Sequence, residues 1–264
     1  MTAEKQTGLE RYVMALEAVA ASPHGLSLSS LAQQCDLPVA TTHRLLQALQ
    51  KTGLVTASGG KRKDYQLGMR LLRLLHAGAD DAWVQIAVQP VLDRLANRFG
   101  ETCFVTRLTG NHVMSLAWAV PEKGLRGYVF PGHMMPPHAS ASAKAILAYQ
   151  APAFIDEILS QPLVKLAQET KTDPAAVKAD YAEVRDRRYA TCWNEMEPGV
   201  GALAVPIELP DVGVIYSLGA SGLIERLNSR PLDESLEMMR AAADNLSRAL
   251  RNSTPARMSG DWRP

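Results

Sequence analysis

From Leu9 to about Ala21, apolar side chains at Leu9, Val13, Leu16 and Ala20 return at steps of three and four, which places them on one face of a helix. Ser22-Pro23-His24-Gly25 ends that helix. A short second helix is expected from Ser27, whose hydroxyl can cap free backbone amides, to about Gln34, with Leu28, Leu31 and Ala32 turned inward. Cys35-Asp36-Leu37-Pro38 then leads into a third helix, whose first turn tolerates proline because the missing N–H was not needed there. Across Val39 to Lys51, Thr42, Leu45, Leu46 and Leu49 form the inward stripe, and Ala40, Thr41, His43, Arg44 and Gln47 the opposite one. After Gly53 the period changes, and Leu54 to Ala57 and Tyr65 to Leu67 read as two strands joined by Ser58-Gly59-Gly60-Lys61-Arg62-Lys63-Asp64.

Leu67 to about Ala77 is rich in Leu and Arg and reads as a helix that serves as linker and dimer contact, broken at Gly78-Ala79-Asp80-Asp81. A further helix, Trp83 to Phe99, turns Val84, Val88, Val91 or Leu92, and Leu95 to one side and stops at Gly100, where a C-cap glycine is expected. Beyond it, β-rich runs (Thr102 to Leu108, His112 to Val120, Ala202 to Leu209, Val212 to Ser221) mix with helical stretches without a regular βαβ rhythm. That pattern predicts an α+β fold of two domains, the second built on a mainly antiparallel sheet. The expected division is 1–8 flexible, 9–68 a winged helix-turn-helix, 69–82 a linker helix, 83–250 a second domain, and 251–264 a mobile tail.

Composition changes this picture only when the chain is divided. The formal charge is +1, but up to His76 nine Lys/Arg stand against five Asp/Glu (+4), and afterwards nineteen against twenty-two (−3). A mildly basic head on a mildly acidic body suits a nucleic-acid contact made by one end. Cys35, Cys103 and Cys192 lie far apart with no C-x-x-C pair, so neither disulfides nor a structural metal is expected. Glu4, Lys5, Glu10, Arg11 and Glu17 interrupt the Ala-rich N-terminus, so it holds no signal-peptide core. No run approaches the roughly 20 apolar residues that span a bilayer. A cytoplasmic protein with no membrane partner is expected, and the absence of phosphate-loop or dinucleotide glycines leaves no cofactor to expect.

The third helix carries the first chemistry. Ala40, Thr41, His43, Arg44 and Gln47 are small, hydroxylic, amide or basic side chains, none acidic, of the kinds that reach base edges and phosphates from the major groove. Lys61, Arg62 and Lys63 at a glycine-led hairpin tip would lie on phosphates or dip into the minor groove. Taken singly, each has a plainer explanation: a core helix and a solvated loop. Their order, two helices joined by a tight turn and then a basic hairpin, is what a winged helix requires.

The runs Gly25-Leu26-Ser27-Leu28-Ser29-Ser30-Leu31-Ala32 and Leu37-Pro38-Val39-Ala40-Thr41-Thr42-His43-Arg44-Leu45-Leu46, followed by Gly53-Leu54-Val55 and Tyr65-Gln66-Leu67-Gly68, resemble the DNA-binding domain of IclR-family transcription regulators. The resemblance implies a sequence-specific DNA-binding regulator, a homodimer or dimer of dimers, with Ser27, Ser29, Ala40, Thr41, Thr42, His43, Arg44, Gln47, Lys61, Arg62 and Lys63 on the DNA. It also implies that the second domain is GAF/PAS-like and binds a small organic acid.

Residue chemistry at that second site is more open. In Gly132 to Ala148, Pro136 and Pro137 hold the approach extended, Ser140 can cap, and the small side chains Ala141 and Ser142 leave helix amides uncovered for a carboxylate. Close packing of helix on sheet explains the same residues. The resemblance makes this stretch, with Met134, Met135 and His138, one wall of an effector pocket. It makes Cys192, Trp193, Val200 and Ala202 a second wall, and Gly219 and Ser221 part of the closing strand. Many relatives carry cysteine where this chain has Ala202; that loss, with Cys192, Trp193, Met134 and Met135, implies a roomier, more apolar pocket and an aromatic or medium-sized apolar acid slightly ahead of a short oxoacid. Two rivals remain: a ligand-free winged-helix protein, and an enzyme using His138 with Cys103 or Cys192, for which no motif pairs the groups.

Overall fold

The computed structural model describes residues 7–22, 25–58, 63–68, 70–71, 81–122, 132–210 and 212–252, with Trp83 described by its backbone alone. Two compact units meet in sequence at His76 and Ala77.

In the first unit, α1 (Gly8–Ala20) opens with a capping box in which Thr7 Oγ1 accepts from the Glu10 amide at 3.3 Å and the Glu10 carboxylate accepts from the Thr7 amide. β1 (Leu26–Ser27), α2 (Leu28–Gln34), α3 (Val39–Lys51), β2 (Val55–Ala57) and β3 (Asp64–Leu67) follow, and the strands form an antiparallel sheet in the order β1-β3-β2. Ala15, Val19, Leu31, Leu46, Leu49, Val55 and Tyr65 make the core. The expected inward stripe of α1 is corrected here. Leu9 and Val13 are exposed, and the stripe that packs is Tyr12, Ala15, Leu16 and Val19, which obeys the same three-and-four spacing. Two stripes of equal period compete on this helix, and the sheet strand β3 and helix α3 select between them. β1 is an addition to the expected elements; Leu26 and Ser27 pair with Tyr65 and Asp64 and give the wing a third strand.

In the second unit, α4 (Asp81–Phe99) leads into a six-stranded antiparallel sheet built from β4 (Thr102–Thr109), β5 (His112–Ala119), β6 (Met134–Met135), β7 (Ala190–Trp193), β8 (Val200–Leu209) and β9 (Gly213–Leu223). Its order is β6-β5-β4-β9-β8-β7. Between β6 and β7 come α5 (Ala141–Leu147), α6 (Pro152–Leu159) and α7 (Pro174–Arg187); α8 (Ile224–Leu227) and α9 (Leu232–Asn252) close the unit. One face of the sheet is covered by α4 and α9, the other by α5 with α7 behind it. Leu236, Met239, Ala243, Leu246 and Leu250 of α9 are buried at helical spacing, and Gln85 and Gln89 of α4 donate to the Leu116 and Trp118 carbonyls at 2.8 and 3.0 Å. On the α5 face the sheet carries a polar seam: Ser217 Oγ lies 2.7 Å from Thr106 Oγ1 and 3.0 Å from the Ser142 carbonyl.

Candidate nucleic-acid interface and effector site

α3 follows Pro38 at its N-cap and buries Thr42, Leu45, Leu46 and Leu49 against α1 and α2. Its other side presents Ala40, His43, Arg44 and Gln47 to solvent, with Thr41 half-buried beside them. Among the described residues none of the side chains of His43, Arg44 and Gln47 is engaged in a hydrogen bond or ion pair, so their donors and acceptors are available to a duplex. The period places Thr42 in the inward stripe while the resemblance set it on the DNA, and burial decides: it is fully enclosed and its hydroxyl donates to the Pro38 carbonyl at 3.2 Å, which leaves it no surface to offer a base. Ser27 is corrected likewise. It is buried at the start of α2, where its Oγ accepts from the Ser30 amide at 3.2 Å. Ser29 is exposed next to it, and Lys63 is exposed at the base of the wing. Lys61 and Arg62 lie outside the described residues. Val39 is missing from the expected set: it is 54% exposed at the tip of α3, an apolar side chain outside the inward stripe, which is the signal that could have found it.

The expected effector residues separate into two groups. Strand register puts Thr102, Ser221, Ala202 and Cys192 side by side across β4, β9, β8 and β7, and alternation turns all four to the α5 face. Val200 follows Ala202 on that face. Ala141 and Ser142 begin α5 above the neighbouring rows, and the buried Ser142 hydroxyl has no hydrogen-bond partner. Ser221 Oγ donates to the Gly201 carbonyl at 3.1 Å. Gly219 itself is covered, because a Cβ there would lie 2.6 Å from both the Phe104 ring and Ser142 Oγ. It serves close packing of α5 and the Phe104 ring on the sheet. Trp193 is a second correction. Adjacent to Cys192 in a strand, it must face the opposite way, and its ring covers Gly201, where a Cβ would meet it at 2.3 Å. Ser140 sits at the N-cap of α5, but its side chain makes no capping bond.

Met134, Met135 and His138 line a different space, an apolar cavity of about 380 Å³ under the segment joining α6 to α7. It lies on the same sheet face near Val113, at the far end of β4 from the Thr102 row. Six residues of strand separate the two places, roughly 20 Å.

At the β7 edge of the sheet stands a buried ionic cluster that the sequence did not disclose. Lys144, 1% exposed, holds Glu195 at 2.6 Å and Asp180 at 2.8 Å and donates to the Thr191 carbonyl at 3.2 Å. Lys171 reaches the same Asp180 oxygen at 2.9 Å. Burial works to raise the Asp180 carboxyl, yet the Lys144 and Lys171 ammonium groups hold it below its ordinary range. The cluster ties α5 to α7 and to the turn before β8.

The paired nucleophile and base of an enzyme reading are not assembled among the described residues. His138 Nε2 is bonded to the Val164 carbonyl at 2.8 Å, and burial pushes the Cys103 and Cys192 thiols above their usual values, away from the reactive thiolate. No group of three His, Cys, Asp or Glu among the described residues is placed to hold a metal, and none of the described helices is long and apolar enough to cross a membrane.

Residues 8–59 match the family model of the IclR helix-turn-helix domain, and residues 77–248 that of the bacterial transcriptional regulator IclR C-terminal domain. The "Probable transcriptional regulator SauR" of Cupriavidus necator is 31% identical over 232 residues, 88% of this chain and 92% of that one. The HTH-type transcriptional regulator BhcR of Paracoccus denitrificans is 30% identical over 240 residues, covering 90% and 85% of the two chains. Among solved structures, an IclR homologue of Microbacterium hydrocarbonoxydans complexed with 4-hydroxybenzoate superposes with a TM-score of 0.59 at 25% identity, over 93% of this chain and all of the other. Both parts of the chain therefore carry the same signature, and the protein belongs to the IclR family of bacterial transcriptional regulators, with a helix-turn-helix DNA-binding domain at its N-terminal end.

Proposed function

We propose that this regulator reads operator DNA with α3 and responds to a small organic acid, aromatic or otherwise apolar in its body, held between the start of α5 and the sheet. The observation that carries the first half is the composition of the exposed side of α3. Arg44 is suited to guanine, Gln47 to adenine, and Val39 with Ala40 to thymine methyl groups, with no carboxylate on the helix to repel phosphate. Two copies, paired through the 67–77 region, would present their α3 helices to successive major-groove faces about 34 Å apart, and a dimer of dimers would engage longer sites. The protein acts in the cytoplasm, with the DNA it reads, and has no catalytic role in this reading.

For the second half, the half-open row of Ser221, Ala202 and Val200 offers little charge and considerable apolar surface, and Ser142 supplies an unpaired hydroxyl over it. A structural relative holds 4-hydroxybenzoate, which supports an aromatic acid. Effector binding would change the affinity for DNA by a coupling of typically about 1 to 3 kcal/mol. Thermal shift of the purified chain with benzoate-like and pyruvate-like acids tests the choice. A larger stabilisation by the aromatic acids is expected; a preference for the short oxoacids would overturn it.

A further inference from the structure

The sheet wall of the acid site ends at Val200, the residue on which the β7–β8 turn, residues 194–199, lands. Three hydrogen bonds between neutral groups hold that turn. The Ile224 amide donates to the Gly199 carbonyl at 3.0 Å, the Gly199 amide to Asn194 Oδ1 at 2.7 Å, and Thr170 Oγ1 to the Glu195 carbonyl at 2.6 Å. A fourth tie is ionic: Lys144 Nζ donates to the two Glu195 carboxylate oxygens at 2.8 and 2.6 Å. Lys144 lies one helical turn beyond Ala141, and the same Nζ donates to the Thr191 carbonyl of β7 at 3.2 Å. Among the described residues it is therefore the hydrogen-bonded link from the first turn of α5 to β7 and the β7–β8 turn, the two walls between which the acid is placed.

The ammonium has nothing left to offer a ligand, because its three protons go to Glu195, Asp180 and Thr191. It acts by holding Glu195, and Glu195 is the looser of its two carboxylates. Asp180, on α7, is shared with Lys171 at 2.9 Å and has Arg187 at 3.9 Å, and its carboxyl is held low. Glu195 has Lys144 beside it and the weaker pull of Lys171, with Asp180 opposing both, and burial pushes its carboxyl up. The Cys192 thiol of β7, which faces the same carboxylate, is raised by burial and stays neutral. As pH falls, the proton therefore goes to Glu195 before Asp180. A hydrogen bond to an ionised acceptor is roughly twice as strong as one to a neutral acceptor, so a proton there loosens this tie and leaves the three neutral ones.

We propose that the Lys144–Glu195 pair is a clasp that sets how far the acid site opens: closed, it holds the β7–β8 turn, and Val200 with it, against the first turn of α5, and loss of the Glu195 charge lets the turn move away. Both are positioning residues and neither touches the acid. The clasp is a property of this chain with or without an acid bound; its effect on affinity rests on the acid reading of the sheet face.

The test uses the full chain, with hydrogen exchange of backbone amides as the first readout and benzoate as the probe. In Glu195→Gln, which keeps the shape and removes the charge, the amides of Gly199, Val200 and Ile224 should exchange about tenfold faster at neutral pH while those of α9 keep the wild-type rate. In the wild type the same three amides should lose protection, relative to the unstructured rate at each pH, as the pH is lowered toward the carboxylate range; in the variant that loss should be absent. The wild-type series needs no substitution and decides the matter should the variant fail to fold. Benzoate, titrated calorimetrically, should bind Glu195→Gln about tenfold more weakly at neutral pH, and the wild-type affinity should approach that of the variant as the pH falls, above the point at which benzoate itself takes a proton. Unchanged exchange at the turn in a folded Glu195→Gln protein, wild-type protection at the turn that ignores pH, or an equal acceleration in α9 would each overturn the clasp. Equal benzoate affinity in the two proteins would overturn its control of the site. Failure of benzoate to bind the wild type would instead remove the acid reading, and the exchange data alone would then uphold or overturn the clasp.

Discussion

Arg44 projects from the middle of an exposed surface in which its neighbours, His43 and Gln47, are also unengaged, so its guanidinium can meet the fork of acceptors on a guanine without first breaking a bond. Arg44→Ala should therefore weaken specific binding by about 1 to 3 kcal/mol, measured by titration of a duplex selected by the wild-type protein. Unchanged affinity would remove Arg44 from the reading surface. The identity of these side chains was legible in the sequence because a 3.6-residue period assigns each position of α3 to one side. Thr42 shows the limit. Its hydroxyl qualified it chemically for DNA contact, but position on the wheel outranked chemistry, and the α3 interior consumed the hydroxyl in a bond to Pro38. Trp193 shows the same limit in a strand. Nearness to Cys192 in sequence means opposite faces in a sheet, a consequence of the two-residue period that only the assignment of β7 as a strand makes visible.

At the scale of elements, α3, the wing strands, α4 and α9 could be read from periodicity. The inward stripe of α1 could not, since two stripes fit equally and tertiary packing chose between them. The buried cluster around Lys144 was not legible either, because its members lie on α5, α7 and the turn before β8, far apart in sequence. Its weight can be measured. Lys144→Met leaves two buried carboxylates facing each other without their shared cation and should cost about 3 to 5 kcal/mol at neutral pH. In the wild type the depressed Asp180 contributes stability that is present above its unfolded value and lost as pH falls through its lower folded value. In Lys144→Met the sign reverses for Asp180, and Glu195, which burial already raises in the wild type, loses the cation that opposes that rise. Their folded values rise above the unfolded ones, so the variant should recover stability relative to the wild type as the pH is lowered through the carboxylate range, followed by urea melts at each pH. A penalty independent of pH would show that poorer packing, and not charge, is the cause.

The wing is an element whose chemistry lies in residues rather than geometry. If Lys61, Arg62 and Lys63 rest on phosphates, replacing all three with alanine should lower affinity on every duplex alike. It should also flatten the plot of log affinity against log salt by up to about 3, roughly 0.9 for each phosphate that is no longer neutralised. A wild-type slope would place the wing away from the backbone.

For the whole molecule, a basic N-terminal segment and an acidic remainder conceal one another in a net charge of +1. The division of the chain into two units, residues 1–76 and 77–264, falls at the boundary of that asymmetry. The effector set was the least legible part. Residues grouped as one pocket from sequence fall into a sheet row and a separate cavity, because the approach to α5 begins beside the sheet edge at Met135 and ends over Ser217 and Gly219. Everything attributed to the molecule's function nevertheless depends on α3 entering a duplex. The most direct measurement is retention of duplex DNA by the full chain in a mobility assay at low ionic strength, beside a variant with His43, Arg44 and Gln47 all replaced by alanine. The account predicts a wild-type complex that resists non-specific competitor and a variant of unchanged melting temperature that does not. Equal, competitor-resistant complexes from both proteins would contradict it.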